Sequence, residues 1–561
     1  MTRSVAVAAA LAGLLSTDAY AQTTADLEKG TADTANVLNY GMSYSQQRFS
    51  PLDKISKETV KSLVPAWNLS FDDNRAEETH PLVYKGVLYA TTHNATIAVD
   101  AKTGRQIWKT KVEYPPETPR IVCCGIISRG LALFDGKVFR TTLDANVIAL
   151  DAKTGSELWR SKVIDWKEGY SQTLAPLVAD GVVITGTSGA EYGIRGFIDG
   201  WDPETGKHLW RTYTIPGPGE PGNESWPGDS WQHGGGSSWI TGSYDPELKT
   251  VYWGVGNAGP WNAKVRSPGD NLYTASVLAL DPQTGRIKWH FQFTPKDPYD
   301  FDSVADMVLA DIDVHGTKTK ALLNANRNGF FYVLDRTSGK LIAANQYVKT
   351  LNWANGIDEN GRPVDSDITK HMRETGEQVE IWPSVWGGKA WSPSAFSPQT
   401  GLVYINSLEL GMKYKPIEVK YRPGATYWGA DLSWVYPKDG MVGHLKAIDP
   451  LTGKAKWEVA SETPRWGGVL VTAGGVVFSG QETGEFNAFD ADTGKKLWQF
   501  QTGSGIEGQP ITWQQDGEQF VVVASGLGGA YAVYAGDERM ANVPAGGSLW
   551  AFALFPRPVS K

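Results

Sequence analysis

Short apolar runs alternate with tight polar punctuation along this chain. Val147-Ile148-Ala149-Leu150 is typical: a continuous apolar strand that ends at Asp151. A polar turn follows, the strand restarts, and it ends on a tryptophan. No 3.6-residue periodicity runs through these units, so they read as strands and not as helical repeats.

The unit recurs as apolar-Asp-x-x-Thr-Gly-x-x-x-Trp. It occurs from Val99 to Trp108, Leu150 to Trp159, Trp201 to Trp210, Leu280 to Trp289, Ile448 to Trp457 and Phe489 to Trp498. Leu334-Asp335 with Ser338-Gly339 is a weaker copy, and Phe396-Ser397 with Thr400-Gly401 is weaker still, which makes eight in all. Asp and Thr cap a tight turn with side-chain-to-backbone hydrogen bonds, and Gly supplies positive φ. The tryptophan fills the gap between neighbouring units. The first three aspartates stand 51 residues apart. A period of about 40–50 residues with a hairpin signal predicts four strands per unit. The expected fold is all-β: an eight-bladed β-propeller with tryptophan-docking repeats.

Two stretches break the rhythm. Residues 344–388 form a polar, charged insert, and residues 406–440 form one rich in aromatics, including Tyr414, Tyr421, Trp428 and Trp434. They are expected over the active-site end as walls or lids of a pocket. The N-terminus carries Arg3, an apolar stretch from Val5 to Leu15, and Ala19-Tyr20-Ala21 before Gln22. That reads as a signal peptide over 1–21, leaving 22–561 as one domain. No Cys follows the cleavage pattern, which argues against a lipid anchor. No later apolar segment is long enough to span a bilayer. A periplasmic location follows.

Composition narrows the function. Fifty-three basic residues against 61 acidic ones leave a net charge of −8, without the basic footprint of a duplex nucleic-acid binder. There is no Cys-x-x-Cys-His for covalent haem, no dinucleotide or Walker loop, no His-Glu-x-x-His and no nucleophile elbow. The only cysteines are adjacent, Cys123-Cys124. Their geometry alone favours two buried thiols, whereas an exported setting favours oxidation.

The Cys-Cys pair with Arg129-Gly130, Ser188-Gly189-Ala190-Glu191, Gly256-Asn257-Ala258-Gly259-Pro260-Trp261-Asn262, Asp297-Pro298-Tyr299-Asp300, Asn326-Arg327-Asn328-Gly329 and Trp466-Gly467-Gly468 carry a specific likeness. The chain resembles the pyrroloquinoline quinone (PQQ)-dependent alcohol dehydrogenases of the methanol and ethanol dehydrogenase type. The resemblance runs over essentially the whole mature chain and implies an eight-bladed propeller with PQQ near its axis.

It also implies roles. Cys123 and Cys124 would form a vicinal disulfide on one face of the quinone, with Trp239 stacked on the other. Arg129 and Arg327 would meet the cofactor's negative charge. Glu78, Thr173, Ser188, Gly189, Ala190, Trp391 and Trp466 would complete the cofactor site. Glu191 and Asn257 would hold a hard metal ion, and Asp300 would be the catalytic base. In calcium-dependent branches the position of Asp302 usually holds a small or neutral residue. An aspartate there marks the lanthanide-dependent ones, so a lanthanide is favoured over Ca²⁺, with Glu191, Asn257, Asp300 and Asp302 as ligands. In an extended segment, residues i and i+2 share a face, so both aspartates can reach one ion. Where the family has Gly-Gly-x-Asn-Trp, this chain has Gly387-Gly388-Lys389-Ala390-Trp391; Lys389 is the candidate to replace the lost asparagine contact.

The implied reaction is oxidation of an alcohol to the aldehyde or ketone, with electrons passed to a soluble cytochrome c. A possible homodimer, no nucleic acid and no membrane span complete the partner list. The alternatives are a quinoprotein acting on sugars or bulky secondary alcohols and a non-enzymatic propeller scaffold.

Overall fold

The computed structural model describes residues 21–556. Of the expected signal peptide only Ala21 lies among them.

Each repeat folds as a four-stranded antiparallel meander. Leu82–Tyr84, Val87–Thr91, Ala95–Asp100 and Gln106–Lys111 pair in sequence order. Sheets of the same order cover 132–162, 177–213, 243–292, 308–346 and 395–461. In the sheet over 469–501, Phe49–Ser50 adds a fifth, parallel strand. The last sheet joins the two ends of the chain: Leu63–Ser70 runs antiparallel to Ser548–Leu554, beside Glu518–Ser525 and Ile511–Gln515. Among the described residues these make eight sheets of four or five strands. The second and third strands are buried along their length, as in Val182–Gly186 and Phe197–Trp201, because both sheet faces are covered. The fourth strands alternate, as in Ala455–Ser461.

The repeat residues act across neighbouring sheets. Asp100 Oδ1 accepts from the amides of Lys102 and Thr103 and from Thr103 Oγ1, which closes the turn between the third and fourth strands. The fourth-strand tryptophan then docks on the next sheet's turn. Trp108 Nε1 donates to Ala152 O at 3.2 Å, Trp159 to Pro203 O at 3.2 Å and Trp210 to Pro282 O at 3.1 Å. In each case the acceptor is the residue after the repeat aspartate. The repeat glycine lies under the ring: a β-carbon on Gly285 would stand 2.3 Å from Trp210 Cε3. Gly is therefore required for close approach as well as for φ.

This corrects one repeat. Ser397-Pro398-Gln399-Thr400-Gly401 joins the first and second strands of its sheet, Ala395–Phe396 and Val403–Leu408, and Gly401 has no neighbour to dock. The eighth unit is instead the closing sheet. Its third and fourth strands come from opposite chain ends, so no turn connects them. Trp67 supplies its tryptophan and donates to Ala101 O at 3.1 Å.

The inserts are shorter than expected. Ala344, Asn345 and Gln346 still pair with Tyr332, Phe331 and Phe330, and Asn406 to Leu408 belong to strand Val403–Leu408. Beyond those strands the two inserts share one sheet: Val379–Ile381 pairs with Gly411–Pro416, which pairs with Ala430–Val435. The helix Asp367–Thr375 precedes it, capped by Ser366. No helix among the described residues is long and apolar enough to cross a membrane.

Candidate active site

A cavity of about 400 Å³ collects loops from several sheets together with both inserts. Fourteen of the seventeen expected site residues line it: Glu78, Cys123, Cys124, Arg129, Thr173, Ser188, Gly189, Glu191, Trp239, Asp300, Asp302, Arg327, Trp391 and Trp466. Ala190 is buried in the turn Ala190–Tyr192 that carries Glu191. Asn257 stands behind the acidic wall, its backbone N–H donating to Asp302 Oδ1 at 2.7 Å.

Lys389 is the correction. It is fully buried and does not line the cavity; its Nζ donates to Asp306 Oδ1 at 3.0 Å. Asp306 also accepts the Ser394 amide at 2.9 Å and stands 3.6 Å from Arg48. A buried carboxylate stripped of its cation is costly, and that holds Lys389 away from the cofactor position.

The acidic wall is built by the segment Asp297–Asp302. Asp297 accepts the amides of Tyr299 at 2.9 Å and Phe301 at 2.7 Å, and both aromatic rings are fully buried. The chain between these anchors turns sharply, and Asp300 takes a φ of +62°. Left-handed backbone at a non-glycine residue costs about 1–2 kcal/mol. Asp300 and Asp302 do share a face, through this turn and not through the extended backbone expected. Arg327 NH1 stands 3.1 Å from Asp300 Oδ2 and 3.2 Å from Asp302 Oδ2, and donates to Asp300 O at 2.8 Å.

Cys123 and Cys124 are joined in a disulfide. Cys123 Sγ lies 3.2 Å from Glu191 Oε2. The aromatic insert reaches the same turn: the Tyr427 amide donates to Glu191 O at 2.6 Å. Opposite, Arg129 pairs with Glu78 at 2.8 Å, donates to Thr173 Oγ1 at 2.8 Å, and sits between the rings of Trp239 and Trp391, 4.7 and 4.8 Å from their centroids.

Burial governs protonation here. It pushes Asp300 well above the usual carboxylate range; Arg327 opposes this, and Asp302 and Glu191 add to it. Burial first, and then Asp302, pushes Glu191 up to about 7. Asn257 Oδ1 and Nδ2 and Asp300 Oδ1 are buried without a partner. Such groups are costly unless something satisfies them. An all-oxygen set of two aspartates, a glutamate and an asparagine fits a hard cation. The partnerless indole N–H groups of Trp391 and Trp466, with Arg129, fit a flat anionic cofactor.

The family described as glucose/ethanol/alcohol dehydrogenase, β-propeller domain, of the PQQ group matches residues 38–349 and 439–521. The chain belongs to the PQQ-dependent alcohol dehydrogenase family. The unmatched gap, 350–438, contains the shared insert sheet together with the first two strands of the sheet over 395–461. The quinoprotein alcohol dehydrogenase PedH of Pseudomonas putida is 41% identical, covering 92% of this chain and 91% of its own. A lanthanide-dependent methanol dehydrogenase of Methylacidiphilum fumariolicum is 38% identical, covering 97% and 96%. The solved structure of a europium-containing methanol dehydrogenase superposes with a TM-score of 0.90 at 37% identity, covering 95% of this chain and all of that one.

In this quinoprotein the inserts supply what the sequence left unassigned. Val385 and Trp386 come from the first insert; Trp428, Leu432 and Trp434 come from the second. Their signals in the sequence are the two breaks in the repeat rhythm and, for the second insert, its aromatic richness. Tyr534, from the helix Gly529–Tyr534, completes this upper wall and meets Trp428 edge to face at 6.2 Å.

Proposed function

We propose that this enzyme is a periplasmic dehydrogenase that oxidises an alcohol to the aldehyde or ketone with PQQ and a lanthanide ion, and passes electrons to a soluble cytochrome c. The eight sheets are read as eight blades of a single propeller domain over 22–561. The observation that carries the metal assignment is the placing of Asp302 beside Asp300 on one guanidinium. With Glu191 it makes a third buried carboxylate, and added negative charge favours a trivalent over a divalent ion.

Glu191, Asn257, Asp300 and Asp302 would hold the metal. The disulfide and Trp239 would flank the quinone, while Arg129, Glu78, Thr173, Ser188 and the turn at Gly189 and Ala190 would meet its polar edge. When bound, PQQ supplies a two-electron acceptor and the metal supplies Lewis acidity. Asp300 takes the hydroxyl proton of the alcohol. Its burial keeps it basic, and Arg327 fixes its carboxylate. Trp386, Trp428, Trp434 and Leu432 exclude water above it and select an apolar carbon frame, which disfavours a sugar.

The test is reconstitution of metal-free protein with PQQ, followed by separate titration with Ca²⁺ and La³⁺. Dye reduction is followed with ethanol and with a bulkier secondary alcohol. Activity with La³⁺ alone is expected. Activity with Ca²⁺ alone keeps the enzyme class and removes Asp302 from the metal; no PQQ binding and no activity would sink the reading.

A further inference from the structure

Three glutamates outside the cavity, Glu77, Glu482 and Glu507, are as deeply buried as Glu78 on its wall, each with no more than 1% of its surface exposed. Arg129 pairs with Glu78; among the described residues no basic side chain pairs with the other three. Glu77 Oε1, Glu507 Oε2 and both oxygens of Glu482 are buried without a donor.

Backbone contacts hold these residues together: the Glu77 amide donates to Gly526 O at 3.0 Å, and the Gly526 amide donates to Gly505 O at 2.8 Å, two residues before Glu507. Glu507 Oε1 accepts the Gly528 amide at 3.0 Å. A β-carbon on Gly529 would stand 2.9 Å from both Glu507 Oε2 and Glu78 Oε1, so these oxygens are at most two hydrogen-bond lengths apart. Gly529, with φ +63°, leaves the space between them open. Glu482 is the neighbour whose carboxyl group is electrostatically linked to that of Glu507, and its carbonyl oxygen lies 2.7 Å from a β-carbon placed on Gly505. Glu77 lies within electrostatic reach of Glu507, and its Oε1 is 2.7 Å from a β-carbon placed on Gly547. Gly547 lines a separate polar cleft of about 680 Å³ that also holds the Asp73–His93 pair. Arg129 and Tyr40 stand near Glu78; Asp73, with its partner His93, and Lys109 stand near Glu77.

We propose that Glu78, Glu507, Glu482 and Glu77 hold and pass protons from the active-site cavity to this second cleft. The inference rests on the dehydrogenase reading above. In the reaction the C–H and O–H bonds of the alcohol break and a C=O bond forms, which releases two electrons and two protons. The electrons leave to external one-electron acceptors, and both protons must leave a buried cavity. Burial brings Glu78 to about 7 and Glu507 to about 8, where each can both take up and release a proton near neutral pH. The Gly528-Gly529 pair thereby gains a role: it keeps side chains out of the path.

The experiment uses the holoenzyme in weak buffer with a pH-indicator dye. Enzyme pre-reduced by alcohol is mixed with ferricyanide, and acceptor reduction and proton release are followed together. In the unaltered enzyme release keeps pace with acceptor reduction. Glu507→Gln and Glu77→Gln should each slow release by about 100-fold, the lower end of what a positioned proton-transfer group contributes. Unchanged release in both variants overturns the proposal. Infrared spectra give a readout that needs no turnover. The unaltered protein at pH 7 should show a carboxylic-acid C=O band that shifts in D₂O and is lost in Glu482→Gln/Glu507→Gln. Absence of that band in the unaltered protein also overturns it. Failure of the dehydrogenase reading would look different: no alcohol-dependent electron transfer in the unaltered holoenzyme.

Discussion

The indole N–H of Trp239 donates to Asp302 Oδ2 at 3.1 Å. The other oxygen of Asp302 accepts the backbone N–H of Asn257. The Asp302 carboxylate, itself expected on the metal, therefore ties a ring expected against the quinone to Asn257, a second residue expected on the metal. Asp302→Ala should lower La³⁺ affinity by about 10–100-fold, the range seen when metal-supporting partners are removed, with a much smaller loss for Ca²⁺. It should also free the Trp239 ring and change tryptophan emission in the metal-free protein. Calorimetric titration and fluorescence check the two effects. Equal losses for both ions would leave Asp302 a structural residue.

Asp300 is the proposed base. Asp300→Asn keeps the shape, and a carbonyl oxygen can still accept from Arg327, but the base is gone. Turnover should fall by about 10²–10⁴-fold, the range for a lost general base. PQQ absorbance in the reconstituted protein should persist. Loss of PQQ together with activity would make Asp300 a cofactor-binding group first.

Much of the sheet architecture is legible in the repeat because each of its residues answers a local need. Asp and Thr close the turn, and the Trp of one unit reports the neighbour through Gly. The eighth unit escapes such a reading, since Leu63–Ser70 and Ser548–Leu554 lie at opposite chain ends. The sheet shared by the inserts is also non-local. In the site, Asp300, Asp302 and Glu191 are recognisable by motif. Lys389 is misplaced because its partner, Asp306, stands 83 residues away and no local pattern announces it. Glu482 and Glu507 carry no motif at all; only folding shows that they face Glu78.

The repeat glycines offer a stability test with an internal control. A β-carbon on Gly285 would meet the ring of Trp210, whereas Gly181 has nothing within 4 Å. Their φ values are alike, +70° and +79°. Gly181→Ala should cost about 1–2 kcal/mol from left-handed backbone alone. Gly285→Ala adds overpacking, typically about 1–3 kcal/mol more. Urea unfolding should rank Gly285→Ala clearly below Gly181→Ala. Equal midpoints would mean that tryptophan docking adds little to stability.

The buried acid pair predicts a pH dependence of known sign. Burial first, and then the neighbouring Glu78, raises Glu507 from 4.5 to about 8, and Glu482 shifts in the same direction. Below pH 4.5 folded and unfolded chains both hold these protons, and the pair contributes nothing. As pH rises from 4.5 towards 8 the unfolded chain releases them first, so stability falls; above 8 the Glu507 part of the loss levels off. Glu458 has the opposite sign: hydrogen bonding by His444 lowers it to about 2, so its contribution fades only as pH drops below 4.5. The two windows do not overlap. Glu78, Glu191 and Asp297 are also raised, to about 7, 7 and 6, so the unaltered protein should lose stability across pH 5–8 through several groups. The informative quantity is the difference from Glu482→Gln/Glu507→Gln. That variant should show a shallower fall in urea midpoint between pH 5 and 8 and match the parent's slope below pH 4.5. Parallel curves throughout would mean that the pair folds in its ionised form.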